Sequence, residues 1–508
     1  MIKESQNAQL VALLHDSLLA HTSQNAFCID DKMWTYGQLM KRVAAIRCAV
    51  RECESIIGLV AYDDLDTYAS ILALWMEGRC YVPLHPLQPL QRCNDIISQV
   101  DIKTILDSGE STRYDSEGVI MTAQLPDADK LDAPCEVGKD APAYILFTSG
   151  TTGRPKGVPV TFGNVEAFLE AFAQLGISLL PKDRCLQMFD LTFDLSVGSY
   201  LPPLIAGACV YTVRLGSIKW QEVFRLMDDY RLTVTLMVPS VIHYLRPYLS
   251  ELSAPDLRYS LFCGEALMVD DVVPWKQVAS HATVWNVYGP TENTIYCTAY
   301  RVGSHDIKQH NGVVSIGKAM LHTHTMIVDS EHQKVAQGET GELCLAGDML
   351  TPGYWNDDEK NRQAFFSDGK RRWYLTGDIC REDENGDIEY VGRSDSQVKI
   401  QGYRIELSEI ESVARRYYDQ QTAVVAVVTE EQNNQTINLV VECNDDGSSE
   451  QLQDFLRQYL PAYMLPSRVV FMPVFPQNAN NKIDRKNQKY DFIDVIFIRK
   501  SVSILQKK

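Results

Sequence analysis

The sequence predicts an α/β fold, with a large N-terminal domain of mixed or parallel sheets, helices and a small β-region, and a small α+β C-terminal domain. Three observations support this prediction. The first is that short apolar runs alternate with helix-like stretches over much of the first 390 residues. These runs are SIIGLVAY, CYVPL, APAYILFT, LTVTLMVPS, LRYSLFCG and TVWNVYG. Because strands that alternate with helices are typical of βαβ units, they indicate a largely parallel sheet.

The second observation is a change of pattern after residue 320, where HTHTMIVD, GELCLAG and GDIEYVG alternate in period two between turn residues. This alternation is typical of a small β-region. The third is an order of helix, strand, strand and helix in LSEIESVARRYYD, AVVAVVT, TINLVVE and SEQLQDFLRQYL. It predicts an α+β module of domain size. Polar residues from Gly392 to Gln397 separate the patterns, so we predict an N-terminal domain at 1–393, a connection at 394–397 and a C-terminal domain at 398–508.

The composition is that of a globular protein and argues against nucleic acid as a partner. The 508 residues include 48 Lys and Arg and 66 Asp and Glu, which gives a formal net charge of −18. Nucleic-acid affinity requires clustered basic residues.

The 13 cysteines form no C-x-x-C pair, so we expect reduced thiols in the cytoplasm rather than disulfides or zinc. We expect no signal peptide, because the N-terminal segment lacks its apolar core, and no membrane span, because no window approaches about 18 apolar residues.

Residues 146–160, LFTSGTTGRPKGVPV, form a dense run of anion donors directly after a predicted strand. The run contains four hydroxyl residues, three glycines and one lysine, namely Thr148, Ser149, Thr151, Thr152, Gly150, Gly153, Gly157 and Lys156. Glycines let backbone N–H groups approach a phosphate, and hydroxyls add donors. The Walker A spacing does not fit this segment, so a P-loop NTPase is disfavoured. An ordinary Ser/Thr/Gly turn is the alternative.

This segment resembles the phosphate loop of the adenylate-forming superfamily, which comprises acyl-CoA ligases, luciferases and amino acid adenylation enzymes. Further matches follow in the order of that superfamily and span nearly the whole chain. They are WTYGQL at 34–39, CYVPLHPLQPLQR at 80–92, FDLS at 193–196, NVYGPTEN at 286–293, GELCLAG at 341–347, YLTGD at 374–378, GRSDSQVKIQGYRIELSEIE at 392–411 and NANNKIDRK at 478–486.

The residue types in NVYGPTEN suit nucleotide chemistry. Tyr288 can stack on a base, and Asn286 can hydrogen-bond the edge of that base. Thr291 offers a hydroxyl to the α-phosphate, and Glu292 supplies a hard oxygen for Mg²⁺. A strand that ends in a Gly-Pro turn is the alternative.

The resemblance implies that ATP and Mg²⁺ are used and assigns further roles. Asp378 would accept hydrogen bonds from both ribose hydroxyls, with Arg393 as a second contact. Lys482 would bridge the substrate carboxylate and the α-phosphate and so stabilise charge as pyrophosphate leaves. A turn aspartate and solvated basic residues are the alternatives. The other nucleotide-binding residues implied are Thr148, Ser149, Gly150, Thr151, Thr152, Gly153, Lys156, Gly264, Glu265 and Gly289.

The FDLS motif separates the branches of the superfamily. In the amino acid branch its aspartate pairs with the α-ammonium of the substrate, and Asp194 stands in that place. A half-buried carboxylate favours substrates that carry a cation. A helix-capping aspartate is the alternative. The resemblance implies a side-chain pocket in which Gly198 opens one wall and Tyr296 fills another; its members are Leu195, Gly198, Ser240, Leu261, Cys263, Val287, Ile295 and Tyr296.

The segment LFCGEAL, which contains Cys263, is similar to D-alanine:D-alanyl-carrier-protein ligases, so we expect a small amino acid with D-alanine first. No condensation motif or carrier serine is found, so the acceptor thiol would belong to a phosphopantetheinylated carrier protein in trans. The resemblance also implies a mobile C-terminal domain, a hinge at Asp395, and thiolation contacts at Lys399 and Gly402. The alternative functions are an acyl- or aryl-CoA ligase and a non-catalytic nucleotide-binding relative.

Overall fold

The computed structural model describes residues 9–475 except 116, 151–153, 304–305, 396, 419–421, 432–433, 444–448 and 474. The α-helices in this part are α1 (Leu10–Ala20), α2 (Tyr36–Val50), α3 (Leu65–Met76), α4 (Leu90–Val100), α5 (Phe162–Gln174), α6 (Leu195–Ile205), α7 (Lys219–Tyr230), α8 (Pro239–Leu245), α9 (Val269–Val278), α10 (Asp358–Ala364), α11 (Leu407–Tyr417) and α12 (Ser449–Arg457). Of the helices that the structure describes, none combines the length and the apolar character needed to cross a membrane.

The strands in the same residues are β1 (Asn25–Ile29), β2 (Lys32–Thr35), β3 (Ile56–Val60), β4 (Cys80–Leu84), β5 (Ile105–Asp107), β6 (Val119–Met121), β7 (Pro142–Thr148), β8 (Lys156–Thr161), β9 (Arg184–Gln187), β10 (Cys209–Thr212), β11 (Val234–Met237), β12 (Tyr259–Phe262), β13 (Thr283–Tyr288), β14 (Thr298–Arg301), β15 (Gln309–His310), β16 (Val313–Val314), β17 (Lys318–Ala319), β18 (Thr323–Val328), β19 (Thr340–Gly347), β20 (Phe365–Ser367), β21 (Arg372–Glu382), β22 (Ile388–Arg393), β23 (Gln397–Ile400), β24 (Tyr403–Glu406), β25 (Val424–Glu431), β26 (Asn434–Glu442) and β27 (Arg468–Met472).

The chain divides into two compact units. The first unit consists of Met1–Pro86, Ile97–Phe147 and Gly157–Asp395. The second unit consists of Leu87–Ile96, Thr148–Lys156 and Ser396–Lys508. The second unit therefore contains the N-terminal end of α4 and the start of the predicted phosphate loop as well as the C-terminal segment.

Three sheets form the framework of the first unit. A nine-stranded sheet has the order β17-β14-β13-β12-β11-β9-β10-β1-β2, in which neighbouring strands from β13 to β1 are parallel. A six-stranded sheet has the order β6-β5-β3-β4-β7-β8 and is parallel from β6 to β7. The third sheet joins β18, β19, β20, β21 and β22 in antiparallel pairs. The predicted βαβ pattern and the predicted β-region after residue 320 are confirmed.

Local sequence signals set the starts of several helices in the first unit. Thr35 caps α2 and forms a capping box with Gln38, and Thr161 does the same for α5 with Asn164. The Asp64 carboxylate accepts a hydrogen bond from the N–H of Thr67 at the start of α3. Helix α3 is apolar and buried along almost its whole length, so it is a core helix rather than a surface one.

In the second unit, α11 and α12 pack through one apolar face each onto the strands β25, β26 and β27. The buried residues on these faces recur at helical spacing, and they are Leu407, Ile410, Val413, Ala414, Leu452 and Leu456. The strands β23 and β24 form a hairpin whose two loop residues, Gln401 and Gly402, have φ of 52° and 82°. Two consecutive positive φ values are typical of a type I′ turn. The helix-strand-strand-helix order predicted here is confirmed.

We predict that Gly317→Ala destabilises the protein by about 1–3 kcal/mol more than Gly338→Ala. Both glycines have positive φ, 74° and 87°. A methyl group at Gly317 would lie 2.0 Å from the carbonyl oxygen of Ala299, whereas at Gly338 nothing lies within 4 Å. The left-handed backbone costs both variants about 1–2 kcal/mol, and overpacking adds about 1–3 kcal/mol to the first alone. Urea unfolding measures the difference, and equal free energies of unfolding would contradict the close approach.

Candidate active site

The residues predicted to bind substrate follow neighbouring parallel strands of the nine-stranded sheet. β9, β11, β12 and β13 lie side by side in that sheet. Asp194 follows β9, Ser240 follows β11, Cys263 and Gly264 follow β12, and Gly289 follows β13. Since the carboxyl ends of parallel strands meet at one edge of a sheet, the topology of the first unit brings these residues together.

Asp194 lies at the N-cap position of α6, but its side chain does not cap that helix. One carboxylate oxygen accepts a hydrogen bond from the N–H of Ile295 at 2.9 Å, and the other accepts one from the hydroxyl of Thr291 at 3.4 Å. The side chain is only 5% exposed. Burial raises the pKa of Asp194 to about 6; the hydrogen bond from Ile295 opposes this rise, and the negative charge of Glu292 adds to it. The geometry therefore does not support the helix-capping alternative.

Three of the predicted pocket residues, Gly198, Ile295 and Tyr296, lie close together. A methyl group at Gly198 would lie 2.9 Å from Cγ2 of Ile295 and 3.5 Å from Cε1 of Tyr296. The sequence interpretation that Gly198 opens one wall is therefore incomplete, because Ile295 fills that space. Of the remaining predicted pocket residues, the apolar ones are buried, namely Leu195, Leu261, Cys263 and Val287.

The segment after β12 contacts both α6 and the start of α8. Gly264 has a φ of 91°, and a methyl group there would lie 3.4 Å from Cδ1 of Leu195. The N–H of Ser240 donates to the carboxylate of Glu265 at 2.9 Å. Glu265 therefore ties the start of α8 to the segment after β12.

Asn286, Tyr288 and Asp378, the residues predicted to hold the nucleoside, are all buried. The side-chain amide of Asn286 donates to the carbonyl oxygens of Val314 and Ser315, at 3.2 and 2.9 Å, so its carbonyl oxygen is the atom suited to a base edge.

The Tyr288 hydroxyl donates to one carboxylate oxygen of Asp378 at 2.5 Å, and Arg393 donates to the other at 2.8 Å. Burial, followed by the charge of Asp378, raises the pKa of Tyr288 well above its usual value. Asp378 is thus hydrogen-bonded to two other predicted nucleotide contacts, Tyr288 and Arg393.

Glu292 is fully buried, and its carboxylate accepts a hydrogen bond from the hydroxyl of Tyr354 at 2.8 Å. No group of three or more His, Cys, Asp or Glu in the described residues is placed to hold a metal by itself. Mg²⁺ commonly takes one or two protein carboxylates and completes its coordination with substrate phosphates and water. A single carboxylate oxygen at Glu292 therefore fits an ion that is bound together with nucleotide phosphates.

The start of the predicted phosphate loop lies in the second unit, where it contacts the C-terminal segment. The N–H of Gly150 donates to Oε2 of Glu409 at 3.1 Å, and the hydroxyl of Ser149 donates to the carbonyl oxygen of Arg404 at 3.0 Å. Arg92 donates to Oε1 of Glu409 at 2.6 Å. A carboxylate thus binds a backbone donor that the resemblance assigns to phosphate, which agrees with the anion-binding character of the loop. Of the other predicted loop residues, the hydroxyl of Thr148 has no hydrogen-bond partner in the part of the chain that the structure describes, and Lys156 begins β8.

Sequence reasoning gave no role to Arg92, Glu409 or Tyr354. Arg92 and Glu409 lie inside segments that match the superfamily, but they are 317 positions apart, so no local pattern pairs them.

The predicted hinge residue Asp395 ends the first unit and accepts hydrogen bonds from two nitrogens of Arg393. Lys399 lies on β23 and Gly402 in the hairpin turn that follows it. Thr151, Thr152, Gly153, Lys482 and the tail after Lys486 lie outside the described residues.

Comparison with known proteins identifies the family. The family model described as AMP-binding enzyme matches residues 16–355. The chain belongs to the AMP-binding enzyme family. Tyrocidine synthase 1 of Brevibacillus parabrevis is 30% identical over 502 residues, which cover 96% of this chain and 45% of that protein.

Two solved structures extend this comparison. The Vibrio cholerae adenylation domain AlmE in complex with glycyl-adenosine-5'-phosphate is 27% identical, with a TM-score of 0.82 and coverage of 96% of this chain and 98% of that one. Holo-PA1221, an NRPS protein containing adenylation and PCP domains, is 27% identical, with a TM-score of 0.81 and coverage of 94% and 83%. The predicted fold class and the predicted place in the amino acid branch of the adenylate-forming superfamily are confirmed. The chain spans less than half the length of the curated relatives it matches.

We predict that Asp194→Asn gains about 1.4 kcal/mol in free energy of unfolding, relative to the native AMP-binding chain, when the pH rises from 5 to 7.5. The raised pKa of Asp194 means that its contribution to stability is complete below the unfolded-state value of 3.8 and is lost as the pH rises through about 6. Between pH 5 and the pKa of about 6, the native chain loses stability over one pH unit, which corresponds to about 1.4 kcal/mol. Asparagine carries no such dependence.

Urea unfolding at the two pH values measures this gain. Asp101→Asn is the matched control, because the side chain of Asp101 is 80% exposed. A gain no larger than that of the control would contradict the buried carboxylate.

Proposed function

We propose that the chain activates an amino acid with MgATP, forming aminoacyl-AMP and pyrophosphate, and then passes the aminoacyl group to a phosphopantetheine thiol on a separate carrier protein. The observation that carries this proposal is the buried Asp194 carboxylate, whose bonded donors in the described residues are a backbone N–H and a hydroxyl. Neither donor carries charge, so a substrate ammonium is the partner that would stabilise the ionised form. Fatty and aryl acids carry no such group.

The first step joins the amino acid carboxylate to the α-phosphorus of ATP. A carboxylate oxygen forms the new bond to the α-phosphorus, the bond between that phosphorus and the oxygen bridging to the β-phosphate breaks, and pyrophosphate leaves. Asp194 would orient the amino acid through its ammonium, while Asp378, Arg393 and Tyr288 would hold the nucleoside. Thr291 and Lys482 would stabilise charge on the α-phosphate, and Glu292 would bind Mg²⁺, which supplies further charge neutralisation there. Positioning and electrostatics account for most of the catalysis in such a reaction.

The second step transfers the aminoacyl group from AMP to sulfur. The thiolate attacks the carbonyl carbon, the new C–S bond forms, and AMP leaves with the former carboxylate oxygen. We propose that Asp395 is the hinge between the predicted domains at 1–393 and 398–508, and that Lys399 and Gly402 act in this step. Holo-PA1221 contains a PCP domain together with its adenylation domain, which supports a carrier-protein acceptor for this chain.

We propose D-alanine as the first candidate among small amino acids and the cytoplasm as the location. Cys263 in LFCGEAL supports D-alanine through its similarity to D-alanine:D-alanyl-carrier-protein ligases. The glycyl-adenosine-5'-phosphate in the AlmE structure also supports a small substrate. Glycine and both enantiomers of alanine are therefore the amino acids to test first.

We predict that ATP–pyrophosphate exchange depends on a small amino acid and not on fatty or aryl acids, and that Asp194→Ala raises the KM for the amino acid about 100-fold. Removing one member of a buried charged pair costs about 2–5 kcal/mol. A loss of about 2.7 kcal/mol, within that range, corresponds to a 100-fold loss of affinity. The KM for ATP in the same assay is the internal control. Exchange with fatty or aryl acids, unaffected by Asp194→Ala, would support an acyl- or aryl-CoA ligase instead.

We predict that Lys482→Ala lowers the amino-acid-dependent exchange rate about 100- to 1,000-fold while ATP still binds, because the lysine would act on charge that develops in the transition state. Lys489→Ala, a nearby basic residue without an assigned role, is the matched control. Exchange kinetics measure the rate, and equilibrium binding of ATP measures retention of the site. Near-native exchange by Lys482→Ala would refute the role of this lysine.

A further inference from the structure

The segment between β19 and α10 contacts the turn that carries Glu292 through both its backbone and a side chain. The N–H of Thr351 donates to the carbonyl oxygen of Glu292 at 2.9 Å, and the hydroxyl of Tyr354 donates to Oε1 of the same residue at 2.8 Å. The carbonyl oxygen of Met349 accepts a hydrogen bond from the hydroxyl of Thr294 at 2.6 Å. One segment thus bonds the backbone and the carboxylate of Glu292 and the residue that follows the turn.

The turn itself has a backbone that needs such support. Glu292 lies in the short 3₁₀ turn Thr291–Asn293, and the two residues that follow, Thr294 and Ile295, have φ of 52° and 69°. A β-branched residue is disfavoured in this left-handed region, and such a conformation costs about 1–3 kcal/mol per residue. It persists only where the surrounding contacts determine it. The position of Glu292 therefore depends on the segment between β19 and α10.

Tyr354 is held so that its hydroxyl occupies a fixed place. The residue is 6% exposed, and its ring packs edge-on against Phe365 with ring centroids 5.8 Å apart. The N–H of Tyr354 donates to Oδ1 of Asn361 at 2.7 Å, and the side-chain amide of Asn361 donates back to the carbonyl oxygen of Tyr354 at 3.0 Å. Both the backbone and the ring are thus fixed by neighbours on α10 and β20.

The chemistry of this donor suits a carboxylate that binds a metal ion. Groups that hydrogen-bond a metal ligand fix its orientation, and removing one typically costs about 10- to 100-fold in metal affinity or activity. A hydroxyl orients Glu292 without cancelling its charge, whereas Arg393 brings a positive charge to Asp378. Mg²⁺ demands nearly ideal octahedral geometry with ligands at about 2.0–2.1 Å, so the plane of the carboxylate matters for binding.

We propose that Tyr354 is a positioning residue for Mg²⁺: its hydroxyl holds the Glu292 carboxylate in the orientation that meets an ion bound to the nucleotide phosphates. This inference rests on the role of Glu292 in the proposed adenylation. Tyr354 acts through Glu292 and does not bind the ion itself. Loss of the hydroxyl therefore weakens binding of the nucleotide only when the metal accompanies it.

The first test measures equilibrium binding of ATP with Mg²⁺ and with EDTA, in the absence of any amino acid, so that no adenylation takes place. Tyr354→Phe removes the hydroxyl and keeps the ring that packs against Phe365. We expect this variant to bind MgATP about 10- to 100-fold more weakly than the native chain. Its affinity for metal-free ATP should stay within about twofold of the native value, which also shows that the variant is folded.

The second test measures the Mg²⁺ dependence of ATP–pyrophosphate exchange. Tyr354→Phe should need about 10-fold or more Mg²⁺ to reach its half-maximal rate, and excess Mg²⁺ should restore the rate. Tyr36→Phe is the matched control, because the hydroxyl of Tyr36 is also buried and donates to the carbonyl oxygen of Ala208 at 2.8 Å. This control should leave the Mg²⁺ dependence unchanged.

A double variant tests whether Tyr354 acts through Glu292. Glu292→Gln removes the charge that would bind the ion, so it should weaken MgATP binding by itself. Once Glu292 is replaced, adding Tyr354→Phe should weaken MgATP binding no further, since residues that act as a unit are not additive. Losses that multiply would show that Tyr354 acts by another route.

The outcomes separate this inference from the proposed function. Unchanged MgATP binding by Tyr354→Phe, an equal loss for MgATP and metal-free ATP, or a further loss in the double variant would overturn the inference and leave adenylation standing. Exchange with none of the amino acids in the native chain would overturn the proposed adenylation. The binding measurements still decide the role of Tyr354 in that case, because they require no amino acid.

Discussion

The hydrogen bond from the N–H of Ile295 to the Asp194 carboxylate is the interaction on which the arrangement of the pocket depends. It joins the N-cap of α6 to the segment after β13, two parts of the chain that are adjacent in space but about 100 positions apart in sequence. The parallel strands β9, β11, β12 and β13 bring these elements to one edge of the sheet. The strained backbone at Thr294 and Ile295 then directs the N–H toward Asp194 and the side chain toward Gly198.

Three buried carboxylates in the first unit differ in the partners that they receive, and this difference suits each for a different task. Asp378 binds the guanidinium of Arg393 and the hydroxyl of Tyr288. Glu292 accepts a hydrogen bond from the hydroxyl of Tyr354, while Asp194 accepts from a backbone N–H and a hydroxyl. Burial raises the pKa of Asp194 to about 6, and a bound cation would lower that pKa again. A carboxylate with this environment distinguishes a cationic ligand from a neutral one more strongly than a carboxylate already paired with arginine.

Much of the fold could be predicted from the sequence because its signals are local. The strands β3, β4, β7, β11, β12 and β13 are short apolar runs, and Asp194 lies in a motif of four residues. Two features could not be predicted, because long-range contacts determine them. Ile295 adopts a backbone conformation against its own preference, so nothing local indicates that it covers Gly198. The pairing of Arg92 with Glu409 likewise depends on the folded second unit.

The ion pair between Arg92 and Glu409 bears on how the loop donors are used. Both side chains are buried in the second unit, with exposures of 5% and 1%, and the second oxygen of Glu409 accepts from the N–H of Gly150. A buried carboxylate is costly unless each of its oxygens is bonded, and here an arginine and a backbone N–H meet that requirement. A phosphate oxygen would need the same N–H of Gly150, since one N–H makes one strong hydrogen bond. Glu409 and a phosphate would therefore compete for this donor, so a phosphate that binds the N–H of Gly150 would have to displace Glu409 from it.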